Sequence, residues 1–469
     1  MPCGQLDQRR AGHRCASCKR LHAKCNGGRP CSNCVVRGLE CSSPGPSTGF
    51  QFIQQQASSI PRALVQDSWK YISTYFQSVG CLAQASVMRS ADVTALSHRD
   101  ENVSRMLSIM GGLYACQNPQ VLRVSQKERK TLLGTWVKQK ALMATELKKP
   151  DPSSFSSVLL STLLLAVIEL FLCAEDGAFQ RWLQRISSYI AQHSKAKSYA
   201  GLTTFERSLI RFFSFLNTLS AIALNEEPLD RQMGFELSSS RPIAPRTSSD
   251  EDKIDDMLYS LQQWARLQSR MVEWALKVEK STMTFHSNEG KYREAIDLKV
   301  QGLDIICEAS VLQARVINDL LQLSEEPDSQ VSICITPYYH WTLTGLSHRL
   351  YHKAWKTLMC ELPVMPTESL HQQALVTLSY VETLASQSGF DVALYLPFAD
   401  FIGREMETPT EQTRVLAFLE IVRSRGFGLA NEYRKGLLET WGAATPDGMS
   451  QNLLICDPSR GVPGTLGRG

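Results

Sequence analysis

The chain has 469 residues, 43% of them hydrophobic and 20% charged, which is length for about three average domains and apolar content for a sizeable core. That composition excludes a chain disordered throughout. The net charge of +4 conceals an asymmetry: residues 1–50 carry eight Lys and Arg against two acids, near +6, while the remainder carries 42 basic and 44 acidic residues, near −2. Cationic charge concentrated on one small segment is the footprint of phosphate-backbone binding driven by counterion release, and the large remainder lacks it.

The first predicted element is a metal site. Cys15, Cys18, Cys25, Cys31, Cys34 and Cys41 spell C-x2-C-x6-C twice, with five residues between the copies. Two tetrahedral zinc ions need eight metal–sulfur bonds, and six thiolates supply them only if two sulfurs each bridge both ions. A binuclear cluster follows from the ligand count. No N-terminal apolar segment of secretory type follows the basic start, so the thiols are expected to stay reduced, which disfavours a disulfide framework. Four cysteines per cluster, the usual iron–sulfur requirement, do not divide into six. His13 and His22 are not expected to ligate zinc, because the sulfur set is already complete.

At every cysteine, and at the Pro30-Cys31 step, residues 11–45 resemble the fungal Zn2Cys6 binuclear-cluster transcription factors. The resemblance implies two Zn2+ as cofactors, Cys15 and Cys31 as the bridging ligands, a nuclear location, double-stranded DNA as partner, and recognition of a short G/C-rich triplet, often CGG, usually as paired half-sites. The two halves are unequal. Lys19, Arg20, Leu21, His22, Ala23 and Lys24 separate Cys18 from Cys25, whereas Val35, Val36, Arg37, Gly38, Leu39 and Glu40 separate Cys34 from Cys41. Only the first presents a cationic surface, so a helix over residues 16–24 is expected to face DNA. Lys19, Arg20, His22 and Lys24 are the candidates for guanine or phosphate contacts, with Arg14 beside them. Leu21 and His22 depart from the family, which usually places basic residues there; an imidazole, with its reference pKa of ~6.5, is mostly neutral at pH 7.

Beyond the cluster, residues 46–61 hold Pro46 and Pro61 among Ser, Gly and Gln and read as a linker. Residues 62–442 read as one large all-helical domain, and no period-2 stretch argues for a sheet. The apolar run from Val158 to Cys173 is shorter than the ~20 residues of a bilayer span and reads as a buried helix, with no membrane partner expected. Thr203 and Glu206 have capping-box spacing ahead of a stripe of Leu209, Phe212, Phe213, Leu216, Leu219 and Ala223. Leu237 to Lys253 breaks the pattern and is expected to be an exposed loop, with Ser248 or Ser249 capping a helix that begins near Ile254 rather than accepting phosphate. Thr408, Pro409 and Glu411 open another helix, striped by Val415, Leu416, Leu419 and Val422 and stopped at Gly426. A last helix carries Tyr433, Leu437, Leu438 and Trp441. Residues 443–469 read as a disordered tail. The scattered cysteines, among them Cys116, Cys307, Cys334 and Cys360, read as small buried hydrophobes.

The helical region is similar to the fungal-specific regulatory region that follows many such clusters, in the segments FERSLIRFFSFLNTLSAIA, Tyr395-Leu396-Pro397-Phe398 and TPTEQTRVLAFLEIVRSRGF. No HExxH, GxSxG, Walker A or GxGxxG motif is present, so no catalytic residue is assigned and an enzyme is not expected. Tyr338, Tyr339, His340 and Trp341, at an expected helix start, read as core in preference to a ligand pocket. The primary expectation is a nuclear, sequence-specific transcription regulator of RNA polymerase II genes that engages the transcription machinery. The alternative is a helical interaction or ligand-sensing protein whose zinc cluster is only structural. A homodimer is left open, because no run of three or four heptads follows Cys41.

Overall fold

A computed structural model describes residues 15, 17–18, 25, 30–41, 62–79, 87–88, 90–148, 152–172, 177–196, 201–229, 249–282, 289–326 and 329–442. The chain divides into two compact units, residues 1–62 and 63–469. Among the described residues all regular structure is helical and no strand occurs. The expected linker, most of the loop before Lys253, and the tail lie outside the described residues.

In the first unit the described helix is α1 (Ser32–Val36). Helix α2 (Arg62–Ser78) starts at the boundary and leads into the second unit, followed by α3 (Ala91–Arg99), α4 (Glu101–Gln117) and α5 (Gln126–Glu146). Gly111 lets α4 lie directly on α2, since a Cβ there would stand 1.9 Å from the Tyr71 carbonyl oxygen. Ser125 and Glu128 form a reciprocal capping box at the head of α5. Lys70 of α2 donates to the same Glu128 carboxylate at 2.7 Å, and this ion pair, with the Ser125 bonds, pulls the Glu128 pKa down to about 2. A carboxylate whose pKa falls on folding contributes stability above its unfolded value, and that contribution disappears as pH drops through the folded one. Between about pH 4.5 and 2 the wild-type melting temperature should therefore fall more steeply than that of Glu128→Gln. Equal slopes across that window would contradict the assignment.

Helix α6 (Phe155–Leu172) lies at the centre of this half, against α4, α5, α7 (Ala178–Ala196) and α8 (Thr204–Leu224). By length and composition it could cross a membrane, yet 72% of it is buried inside the protein, as a core helix. Its single charge, Glu169, is fully buried and paired with Lys140 of α5 at 3.0 Å. Helix α8 starts with the expected Thr203–Glu206 box. Its burial goes beyond one stripe to include Ile210, Phe215 and Ile222, whereas Ala223 is exposed, because the helix is packed on more than one side.

The other half is organised around α9 (Asp250–Thr282), which packs on α8, α10 (Glu289–Leu323) and α11 (Gln330–Leu350). Helix α9 begins four residues earlier than expected, at Asp250. Ser249 and Asp252 exchange capping bonds, and Asp250, Glu251 and Asp252 suit the positive end of the helix dipole, so the acidic run belongs to the first turn. The aromatic quartet differs from expectation in its place along the helix. Tyr338, Tyr339 and Trp341 are buried as core, but in mid-helix, since α11 begins at Gln330 and runs on through Pro337. Tyr395 donates its hydroxyl to the Cys334 carbonyl at 3.2 Å and Tyr338 donates to that of Leu394 at 3.2 Å, anchoring α11 to the segment Phe390–Tyr395.

The chain closes with α12 (Thr367–Gln387), α13 (Phe398–Arg404), α14 (Pro409–Ser424) and α15 (Leu429–Gly442). Thr408 and Glu411 make the expected box on α14, but Phe418 takes the buried position given above to Leu416, which is half-buried. Gly426 ends the helix at φ +107°, and a Cβ there would come within 2.4 Å of the Phe171 ring. On α15, Leu437 is buried and Leu438 exposed, while Trp441 donates its indole N–H to the Gly403 carbonyl at 2.8 Å. One further expectation fails: Cys307 and Cys360 are exposed, and only Cys334 of the described body cysteines is fully buried.

Candidate metal centre

Six thiols converge in the first unit because the second half of the motif folds back on itself. Cys31 is the N-cap of α1, and Cys34 follows on its first turn with its amide bonded to the Cys31 carbonyl at 3.0 Å. Gly38 then adopts φ +60°, a left-handed conformation that glycine takes without steric cost, and Leu39 donates back to the Cys34 carbonyl at 2.9 Å. That reversal returns Cys41 toward Cys31, whose amide donates to the Cys41 sulfur at 3.2 Å. The first half is tied on by Ser17, which donates to the Glu40 carbonyl at 2.7 Å.

The sulfurs form two groups of four, Cys15, Cys18, Cys25 and Cys31, and Cys15, Cys31, Cys34 and Cys41, each with all its atoms within 4.8 Å of one another. The groups share Cys15 and Cys31, the pair that the resemblance makes bridging. Tetrahedral zinc with bonds of about 2.3 Å places its sulfurs about 3.8 Å apart. The observed separations are 3.7 Å for the shared edge Cys15–Cys31, 3.6 Å for Cys18–Cys31 in the first group and 3.6 Å for Cys15–Cys34 in the second. The donor set therefore fits two zinc ions in charge preference, number and spacing. Sulfurs this close without covalent bonds need a cation between them once they ionise.

Local electrostatics divide the thiols. The backbone amide of Cys18 lowers the Cys15 pKa, and that of Cys34 brings Cys31 down to about 6, so both shared sulfurs ionise more readily than an ordinary thiol. Burial drives Cys18 up to about 11 and raises Cys34 as well. Bound zinc would supply the charge that lets this second pair ionise. Asn33 donates its side-chain amide to the Cys18 sulfur at 3.6 Å, an outer contact that orients a ligand. Neither Ser17 nor Asn33 is marked by the cysteine spacing, and only the fold shows their contacts.

The second half presents apolar surface outward, with Val35 61% and Val36 85% exposed. Arg14, Lys19, Arg20, His22 and Lys24, the candidate DNA contacts, lie outside the described residues, as does most of the expected helix over 16–24.

Residues 13–49 match the family model of the fungal Zn(2)-Cys(6) binuclear cluster domain, a cluster that binds two zinc ions. Neither the curated proteins nor the solved structures provide a match to the chain.

Proposed function

We propose, from the premise that residues 13–49 are a fungal-type Zn(2)-Cys(6) binuclear cluster domain, the DNA-binding domain of zinc-cluster transcription regulators, that this chain is a nuclear regulator reading short G/C-rich sites at RNA polymerase II genes. The observation that carries the proposal is the pair of four-sulfur groups sharing Cys15 and Cys31. A small segment of about 30 residues has too little apolar surface to fold by itself, and zinc supplies the missing free energy. Six thiolates and two Zn2+ leave a charge of −2, which the surrounding Lys and Arg balance. The same cations give the module its attraction to phosphate.

In this reading residues 11–45 bind DNA, 46–61 link, 62–442 form a regulatory region that transmits the effect to the transcription machinery, and 443–469 form a tail. Arg14, Lys19, Arg20, His22 and Lys24 make the duplex contacts, because the other half of the cluster offers Val35, Val36 and Leu39 to solvent together with a single cation, Arg37, set against Glu40. Arg and Lys pair with the O6 and N7 acceptors of guanine, which suits G/C-rich sites. We read the whole chain as non-enzymatic, since its recognised domain is one of transcription factors.

Selection of duplexes from a random pool by the zinc-loaded full-length chain should enrich a short G/C-rich sequence, and chelation should abolish the enrichment. Binding indifferent to sequence, or to zinc, would overturn the proposal. Lys24→Ala should keep both zinc ions, weaken binding, and reduce the slope of log K against log salt by about one charge's worth. An unchanged slope would remove Lys24 from the contact set.

A further inference from the structure

Helix α10 is apolar on two opposite faces, and among the described residues only one of them is packed against other helices. Leu298, Ile305, Ala309, Leu312, Val316 and Leu323 point inward and are buried where α10 packs on α9 and α11. On the far side, Ile296, Val300, Leu303, Val311, Ile317 and Leu321 are between 44% and 71% exposed. Isolated exposed hydrophobic residues are ordinary on a folded protein. Six of the seventeen large ones among the described residues on this single helix are not a scatter.

Their spacing is that of a helix-pairing seam. Starting at Ile296, steps of four and three residues lead through Val300 and Leu303 to Cys307, Ser310 and Ala314, then Ile317 and Leu321, and each of these positions is exposed. No seam position carries a charge. The alternation extends over 26 residues, between three and four heptads and about 39 Å of helix, the length at which such a stripe supports a coiled-coil contact. The small side chains in the middle allow close approach, with the larger ones at both ends. Because the four-three alternation reads the same in both directions, the stripe is complementary to itself, as a two-fold interface requires.

We propose that this face of α10 is the interface through which two copies of the chain associate. The six aliphatic side chains offer on the order of 600 Å² of surface, against roughly 800 Å² per partner in a standard interface, and the flanking seam residues extend it. A second copy is the occupant that matches the stripe in length, spacing and lack of charge. The inference stands on the helical unit alone and does not depend on the DNA-binding reading.

Light scattering on the zinc-loaded full-length chain without DNA reads the mass directly. The expected result is a dimer of about twice the 52.4 kDa chain at micromolar concentration. Leu303→Asp combined with Ile317→Asp should raise the dissociation constant at least about a hundredfold while leaving helical circular dichroism and zinc content unchanged. In the dimer, Cys307 should resist maleimide while the exposed Cys360 reacts, and Cys307 should become reactive in the double variant. A wild-type monomer with reactive Cys307 would overturn the proposal in favour of another protein as partner. A monomer with protected Cys307 would overturn it in favour of a segment of the same chain. A dimer that survives the double substitution would place the interface elsewhere.

Discussion

Replacing Cys31 by Ala is expected to remove both zinc ions, whereas replacing Cys41 is expected to remove one. Cys31 belongs to both groups of four sulfurs, and Cys41 belongs only to the group it forms with Cys15, Cys31 and Cys34. With Cys31 gone, each ion retains three sulfurs and the charge and spacing of both sites change together. With Cys41 gone, the set of Cys15, Cys18, Cys25 and Cys31 remains complete. Apparent zinc free energies in small finger domains are about 10–16 kcal/mol, so losing both ions unfolds a module of this size. Elemental analysis should give two, one and none for wild type, Cys41→Ala and Cys31→Ala, with DNA affinity falling at least about a hundredfold in the last. The melting of the helical unit should stay as it was, since residues 63–469 are compact by themselves. One zinc retained by Cys31→Ala would refute a shared role for that sulfur.

The second large effect belongs to the core. Trp274 of α9 stacks on Trp355 at 4.1 Å between ring centroids and 19° between planes, and its indole N–H donates to the Leu298 carbonyl of α10 at 2.8 Å. Gly302 on α10 leaves room for the ring, since a Cβ there would be 2.7 Å from it. Trp274→Ala opens a large cavity and removes the indole's bond to a carbonyl that keeps its intrahelical partner, and should destabilise the helical unit by about 3–5 kcal/mol in denaturant titration. Trp274→Phe keeps much of the stack and loses the donor, so it should cost less. A loss under about 1 kcal/mol for the alanine variant would mean that the site collapses and the indole is not a keystone between α9 and α10.

The metal site was legible because its information is local: ligand type, count and spacing within 27 residues define what can be built. Capping boxes at Thr203 and Thr408 were legible for the same reason, as each depends on two residues three apart. Exposure was not. Helix α10 carries apolar residues toward both the core and the solvent, and its sequence period alone cannot say which stripe the neighbouring helices cover. Cys307 was assigned to the interior on composition, and the packing of α9 and α11 against the opposite face puts it outside. The helix start expected at Tyr338 failed for a different reason. Pro337 removes one backbone donor from α11, yet burial and the hydroxyl bonds of Tyr338 and Tyr395 hold the helix continuous through it.

Helix α6 has a bearing on how the protein comes into being. Its eighteen residues have a mean hydropathy of 2.2, and although α4 and α5 precede it, a nascent chain leaves bare the face that α7 and α8 cover until those later helices have been made. Until those partners arrive that face is a sticky surface, open to self-association and to anything that captures greasy polypeptide. Recovery from the denatured state should therefore decline as chains are crowded together, and fragments ending between Leu172 and Thr204 should be the hardest to keep in solution.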